Sequence, residues 1–272
     1  MGAPNDKSGL LNRSDGRSIF GTDAAGYHQS RPGYPPELFD YLRLRVPSSP
    51  AILEIGAGTG LASSELLKFV PRHLTIVEPD AELCRFLEDR FADLAVTVRQ
   101  GVYPDVAPEG PFDLAACAAA FHWMEPEPAL AAIRASLTPG GTWAMWWNTY
   151  FGHDEDDPLA ERAHRLLVDE GVALPPSYSG GKHYALDSGR HVGQLEQAGF
   201  SDIEHVIYRT RQTFTPSQAV DLYRTFSFIR LLPDNKQERI LRGIADIVGS
   251  SLGGATESVI VTSLYLARTK FR

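Results

Sequence analysis

Apolar and polar positions along this chain follow two rhythms. Short apolar runs at 51–55, 73–78, 96–100, 112–119 and 142–147 have the length and composition of buried strands. Between them, 61–70, 81–92 and 126–137 read as helices. The first carries Leu61, Leu66, Leu67 and Val70 as its apolar positions, and Asp80 is placed to cap the second. The third stops at Thr138-Pro139-Gly140-Gly141, a run of chain breakers. Strands separated by helices of about ten residues predict a parallel sheet with right-handed crossovers. Upstream, residues 27–36 are dense in turn formers, and Pro36 and Glu37 open a helix to about residue 45.

After Asn148 the pattern changes. Residues 149–157 are polar and acidic, Asp157 and Pro158 open a helix to about 170, and 171–189 read as a long loop. A helix near 190–198 ends at Gly199. A strand at about 202–214, helices near 216–231 and 234–249, and a strand at 257–267 complete the pattern. The expected organisation is a loose polar arm over 1–20 and an α/β core with an N-terminal lid over 21–148. A substrate-side cap with the penultimate strand follows over 149–250, and a final strand lies within 251–272.

Composition narrows the function classes. The chain has 272 residues, 43% of them hydrophobic, enough for one sizeable core with an appended cap. Its formal charge of −8 argues against a broad nucleic-acid footprint, which needs clustered Lys and Arg to neutralise phosphates. No apolar run reaches the ~18–20 residues that span a bilayer, and the first twenty residues show no signal-peptide pattern. Cys84 and Cys117 sit in apolar contexts and read as reduced, buried thiols of a cytoplasmic protein. The expectation is a small-molecule partner, with no nucleic acid and no membrane; the oligomeric state has no signature.

The chemistry concentrates at Gly56-Ala57-Gly58-Thr59-Gly60, between a buried strand and a helix. Glycines there let the backbone turn tightly and lie against a ligand, and the helix start offers N–H groups to an anion. Glu78 ends the next strand, where a carboxylate can accept hydrogen bonds from both ribose hydroxyls of a nucleoside. A dinucleotide site favours Gly-x-Gly-x-x-Gly, but here the third glycine comes one residue early.

The segment Leu53-Glu54-Ile55-Gly56-Ala57-Gly58-Thr59-Gly60 resembles the first motif of class I S-adenosylmethionine (SAM)-dependent methyltransferases. Arg31-Pro-Gly-Tyr-Pro35, Phe112-Asp113-Leu114, Ala120-Phe-His-Trp123, Leu137-Thr-Pro-Gly-Gly141 and Trp146-Trp-Asn148 extend the likeness toward a small-molecule branch, similar to trans-aconitate methyltransferase-like proteins. The resemblance implies an α/β, Rossmann-like fold: a mostly parallel seven-stranded sheet with flanking helices and a helical cap. It implies SAM as cofactor and no metal. Glu54, Gly56, Ala57, Gly58, Thr59 and Gly60 would form the cofactor loop, with Glu78 on the ribose and Pro79 near the adenine. Val102 and Tyr103 would lie beside the adenine, Ala119 and Phe121 would flank the sulfonium, and Tyr27, His28 and Arg31 would belong to a lid. Many relatives carry an acid near the position of Val102; this chain has none before Asp105.

Methyl transfer is an in-line displacement, so close and collinear placement of the acceptor supplies much of the catalysis. A base is needed only where the acceptor must lose a proton. His122 is the candidate base or orienting group, with a brace for its loop as the alternative, and Arg31 is a candidate carboxylate clamp with surface pairing as its alternative. The acidic run His153–Asp157 fits a solvated helix entry better than a metal site. Gly180-Gly181-Lys182-His183-Tyr184 lacks the phosphate-loop spacing. Trp143, Trp146, Trp147, Tyr150 and Phe151 read as core and cavity wall, and Tyr223, Phe226, Phe228 and Ile229 as packing or an apolar substrate pocket. The expected activity is methylation of a small organic molecule, most readily at oxygen. The alternative is a SAM-binding protein of the same fold that runs another reaction or only binds ligand.

Overall fold

The computed structural model describes residues 24–150, 157–174 and 183–270. The N-terminal arm over 1–20, Phe151, residues 153–156 of the acidic run and Gly180, Gly181 and Lys182 lie outside the described residues. The elements in chain order are α1 (Ala24–Ser30), α2 (Pro36–Arg43), β1 (Ala51–Ile55), α3 (Leu61–Leu67), β2 (His73–Glu78), α4 (Ala81–Arg90), β3 (Val96–Gln100) and β4 (Phe112–Ala118). A 3-10 turn (Phe121–Trp123) leads to α5 (Pro126–Ser136), β5 (Leu137–Thr149), α6 (Pro158–Asp169), α7 (Ser188–Gln197) and β6 (Ser201–Phe214). Helices α8 (Pro216–Arg224), α9 (Ser227–Arg230) and α10 (Asp234–Asp246) precede β7 (Thr256–Arg268).

The seven strands form one sheet in the order β3-β2-β1-β4-β5-β7-β6, and β1 to β5 pair in parallel. Every residue of β1 is buried, as its unbroken apolar run requires of a strand covered on both faces. Strand order reverses between β1 and β4, and in such sheets the crevice beyond the carboxyl ends at the reversal holds the ligand. The loops after β1 and β4 therefore border the candidate ligand crevice.

By its internal contacts the chain divides into two units. One holds the sheet: 20–148, 185–208 and 262–272. Its core packs Leu38, Phe39 and Leu42 of α2 with Ile52, Leu74, Leu114, Trp146 and Leu264 of the strands. The other takes in 149–184 and 209–261 and is mainly helical. Its own core gathers Leu159, Ala163 and Leu167 of α6, Leu222 and Tyr223 of α8, Ile240 and Ile244 of α10, and Ile260. By this division α7 and the first part of β6 belong to the sheet unit. A strand as long as β6 runs through both units, so no break in the sequence marks the boundary.

Three further differences have local causes. Thr138-Pro139-Gly140-Gly141 does not break the chain but lies within β5. Between Phe112↔Leu137 and Leu114↔Thr142 the register shifts, and Gly140 (φ 75°) absorbs the irregularity. Thr269 then donates its N–H to Gly141 O at 3.0 Å and its hydroxyl to Thr138 O at 2.6 Å. The expected turn from Tyr27 is instead the end of helix α1, where Ser30 Oγ donates to Gly26 O at 2.6 Å; the Pro and Gly residues follow the helix. The helix over 216–231 is interrupted because Thr225 turns its hydroxyl onto Leu222 O at 2.5 Å, and Phe226 leaves in extended conformation.

Candidate functional site

The loop after β1 depends on backbone that only glycine adopts freely. Gly56, Gly58 and Gly60 have φ of 70°, 57° and 79°. A Cβ on Gly56 would stand 2.5 Å from Ala120 Cβ, because the chain leaving β4 crosses close beside it. A Cβ on Gly60 would meet Leu87 at 2.9 Å and Phe91 at 3.0 Å, so this glycine lets α4 pack on the start of α3. Gly58 differs from both: nothing among the described residues lies within 4 Å of the place its Cβ would occupy. Its Cα side faces open space at the tip of the loop.

Two acids underlie that loop. Glu78, at the carboxyl end of β2, accepts from Gly58 N–H at 3.0 Å through Oε2 and from Asp80 N–H at 3.2 Å through Oε1. It is only 4% exposed, and burial pushes its carboxyl up to about 7 against the pull of those two donors. Glu54, fully buried on β1, is likewise raised to about 7, by burial first and the Glu78 charge second. Ser63 lies near it without closing a hydrogen bond, and neither Glu54 oxygen has a hydrogen-bond partner among the described residues. Asp80 caps α4 as expected, accepting from Glu82 and Leu83 N–H at 2.8 and 3.1 Å. Gly101, just after β3, donates to Glu78 O at 3.0 Å and so fixes the backbone that carries the acid.

Helix α1 closes on the loop from the N-terminal side. His28 Nδ1 and Thr59 Oγ1 are 3.1 Å apart. Burial and the Arg90 charge lower the His28 pKa, so it sits there as neutral imidazole near pH 7. Thr59, 3% exposed, therefore ties the loop to α1 through its side chain. The Arg31 guanidinium lies over the Tyr27 ring, 5.3 Å from its centre. The Pro32-Gly33 backbone is held by Asn148, which donates to Gly33 O at 3.0 Å and accepts from the Thr262 hydroxyl at 2.7 Å.

The chain leaving β4 forms the opposite wall. Ala119 takes φ 54°, unusual for a residue with a Cβ, and donates its N–H to Trp146 O at 2.7 Å. Phe121 is fully buried against Trp143, with ring centres 5.8 Å apart. His122 receives a hydrogen bond on Nδ1 from the Trp147 indole at 3.2 Å. On the β3 side, Val102 is half-buried and Asp105 exposed. Tyr103 is 4% exposed, and its phenol is buried near Ser136, at the far end of α5, without a hydrogen-bond partner among the described residues; burial raises it to about 12. The structure thus brings Gly56, Gly58, Glu54 and Glu78 together with Ala120 and the β4 exit, and ties Thr59 to the lid residue His28. Tyr103 is turned into the core. The sequence reading missed Trp147 as the partner of His122 and Asn148 as the anchor of the 32–33 backbone; both ride on β5, where successive side chains leave opposite faces.

Comparison with known proteins points to methyl transfer. Residues 52–141, from β1 into β5, match the methyltransferase domain family. An uncharacterized methyltransferase of Schizosaccharomyces pombe is 26% identical over 241 residues, 84% of this chain and 86% of that one. The chain carries a SAM-dependent methyltransferase domain. Among solved structures, a protein of Anaeromyxobacter dehalogenans provisionally described as a type II methyltransferase superposes with a TM-score of 0.63 at 19% identity, over 88% of this chain and 97% of that one. A Haemonchus contortus phosphoethanolamine N-methyltransferase in complex with SAM superposes with a TM-score of 0.56 at 15% identity, over 96% of this chain and 61% of that one. At such identities these likenesses concern the fold.

The residues present fit SAM. The methyltransferase loop leaves an open cradle at Gly58, where a side chain would project, and sets the Glu78 carboxylate directly beneath it. Each Glu78 oxygen accepts one backbone N–H and retains lone-pair capacity for a ribose hydroxyl. The two buried Glu54 carboxyl oxygens, without a hydrogen-bond partner among the described residues, add acceptor capacity and latent negative charge to the end of β1, in keeping with a ligand that carries a sulfonium and an ammonium group. Among the described residues no helix is long and apolar enough to cross a membrane.

Proposed function

We propose that this methyltransferase acts on a small organic molecule and transfers the methyl group to an oxygen, the acceptor being a carboxylate. The observation that carries this reading is the hydrogen bond from Trp147 to His122, because it occupies the lone pair that a base at the β4 exit would use. An acceptor that already carries its negative charge needs no base. SAM, when bound, would supply a methyl carbon on positively charged sulfur, and an acceptor oxygen attacking it with its own lone pair would leave the C–S pair on sulfur as a neutral thioether. Charge cancels without proton transfer. Glu78 and the glycine loop hold the donor, Ala119 and Phe121 bound the space beside the methyl, and Arg31 pairs with the carboxylate. The likeness of the Ala120-Phe-His-Trp123 and Arg31-Pro-Gly-Tyr-Pro35 segments to trans-aconitate methyltransferase-like proteins supports the same acceptor class, and the acidic net charge supports a small-molecule partner over nucleic acid.

The test is incubation with methyl-labelled SAM and parallel panels of carboxylic acids, phenols, alcohols and amines, with products identified by mass spectrometry. Methyl esters from the acid panel are expected. Turnover confined to amines or phenols would overturn the acceptor assignment. Tight SAM binding with no methylated product from any panel would favour a protein of this fold that uses SAM otherwise or only retains it.

A further inference from the structure

Indole N–H can only donate, so the 3.2 Å contact from Trp147 Nε1 makes His122 Nδ1 the acceptor. A neutral imidazole that accepts at Nδ1 carries its hydrogen on Nε2. Trp147 is itself immobilised. It is 3% exposed, stacks on the His191 ring at 5.3 Å and 22°, and meets Tyr265 edge-on at 6.3 Å. His191, fully buried on α7, leans on Tyr265 at 4.7 Å. Tyr265 is pinned in turn: its hydroxyl donates to Ala185 O at 2.9 Å, and His205 of β6 lies flat on its ring at 4.3 Å and 4°. Rings from β5, α7, β7 and β6 therefore fix the direction of one indole N–H. Packing alone does not require that N–H to end on a histidine beside the β4 exit.

We propose that Trp147 is a positioning residue for methyl transfer, locking His122 as the Nε2–H tautomer, a hydrogen-bond donor to an anionic acceptor. This rests on the reading that the acceptor lies beside the end of β4, and it sharpens that reading. His122 Nε2–H holds one oxygen of the acceptor carboxylate, which leaves the other oxygen to attack the methyl carbon. The bond also explains the placement of a bulky indole at the end of β5: phenylalanine would fill much of the space but could not set the tautomer.

The experiment is a long-range proton–nitrogen correlation spectrum of full-length protein labelled in histidine, with His122→Asn to assign the His122 signals. The wild type is expected to show bare Nδ1 and protonated Nε2, and Trp147→Phe to lose that preference toward a mixture. Protonated Nδ1 in the wild type would overturn the proposal, as would an unchanged tautomer in Trp147→Phe. On whichever acceptor the panels identify, Trp147→Phe is expected to lower kcat about two- to tenfold, the loss of one orienting hydrogen bond, with SAM affinity unchanged. An unaltered kcat would remove the positioning role. If no acceptor turns over at all, the proposed reaction fails, while the wild-type spectrum still decides the tautomer.

Discussion

The two walls of the candidate site are built from different materials. The wall we assign to the methyl donor, at the ends of β1 and β2, consists of glycine backbone and two buried acids, of which Glu78 is held by main-chain N–H groups at 3.0 and 3.2 Å. The wall we assign to the acceptor, at the ends of β4 and β5, consists of rings: Phe121 on Trp143, and His122 held by Trp147. Backbone geometry tolerates almost no substitution, whereas a ring wall can be reshaped by exchanging one ring for another. One methyl donor with many acceptors across a shared fold calls for that division. Changes on the donor wall should therefore abolish binding, and changes on the acceptor wall should alter rate or selectivity.

The largest effect is expected from Gly56→Val. The residue holds φ 70°, and its Cβ would press to 2.5 Å on Ala120 Cβ, which is anchored to backbone and cannot swing away. Strain and overlap together cost about 3 kcal/mol or more, so SAM affinity by calorimetry should fall at least about a hundredfold. Retained affinity would show that the β4 exit yields, and the contrast between the walls would be lost. Next comes Glu78→Gln. The amide can accept from Gly58 or Asp80 but turns an NH2 toward the other N–H, and it loses the charge. Hydrogen bonds to charged groups contribute about 1.5–3 kcal/mol, so affinity should drop about ten- to a hundredfold with the fold intact by circular dichroism.

The acids also predict a pH dependence peculiar to the donor wall. Glu54 and Glu78 are raised from 4.5 to about 7, chiefly by burial. Between those values the folded chain keeps protons that the unfolded chain has released, so their contribution to stability is full below 4.5 and is lost as pH rises toward 7. A cationic ligand favours the ionised acids, so SAM affinity should rise by about tenfold across the same window. Melting temperatures from pH 5 to 8 should fall in the free protein and fall less with SAM present, and Glu54→Gln should flatten the free-protein curve. A free-protein melting temperature that climbs over that range in step with wild-type-like Glu54→Gln would sink the assignment.

The donor wall was legible because its parts are close in sequence and each has its own signature: a strand, a glycine turn, a helix, and a strand ending in an acid. Five strands of the core are readable for the same reason, with Thr138–Gly141 misread because Thr269, far along the chain, holds that segment in β5. The acceptor wall was legible only as a collection of aromatics. Trp147 and His122 meet through neighbouring strands, and the rings behind Trp147 come from α7 and the two last strands. No local pattern announces such a contact, since each residue alone fits ordinary packing. The outline of the helical unit escaped for a related reason: its boundary runs through β6 and β7, which read as continuous strands.

The smallest expected effect is the one that best tests where the donor wall ends. The family resemblance would put Tyr103 beside the adenine; in the structure its phenol is buried near Ser136 with no hydrogen-bond partner among the described residues. A buried hydroxyl that bonds to nothing has given up its water without return. Tyr103→Phe should therefore leave the melting temperature unchanged or slightly higher, and SAM affinity within about twofold of wild type, since the ring's packing is kept. A tenfold loss of affinity would put that hydroxyl at the adenine and extend the donor wall onto the β3 side. With affinity unchanged, the Tyr103 hydroxyl takes no part in holding SAM, and what the β3 side offers the adenine is shape and the backbone around Val102.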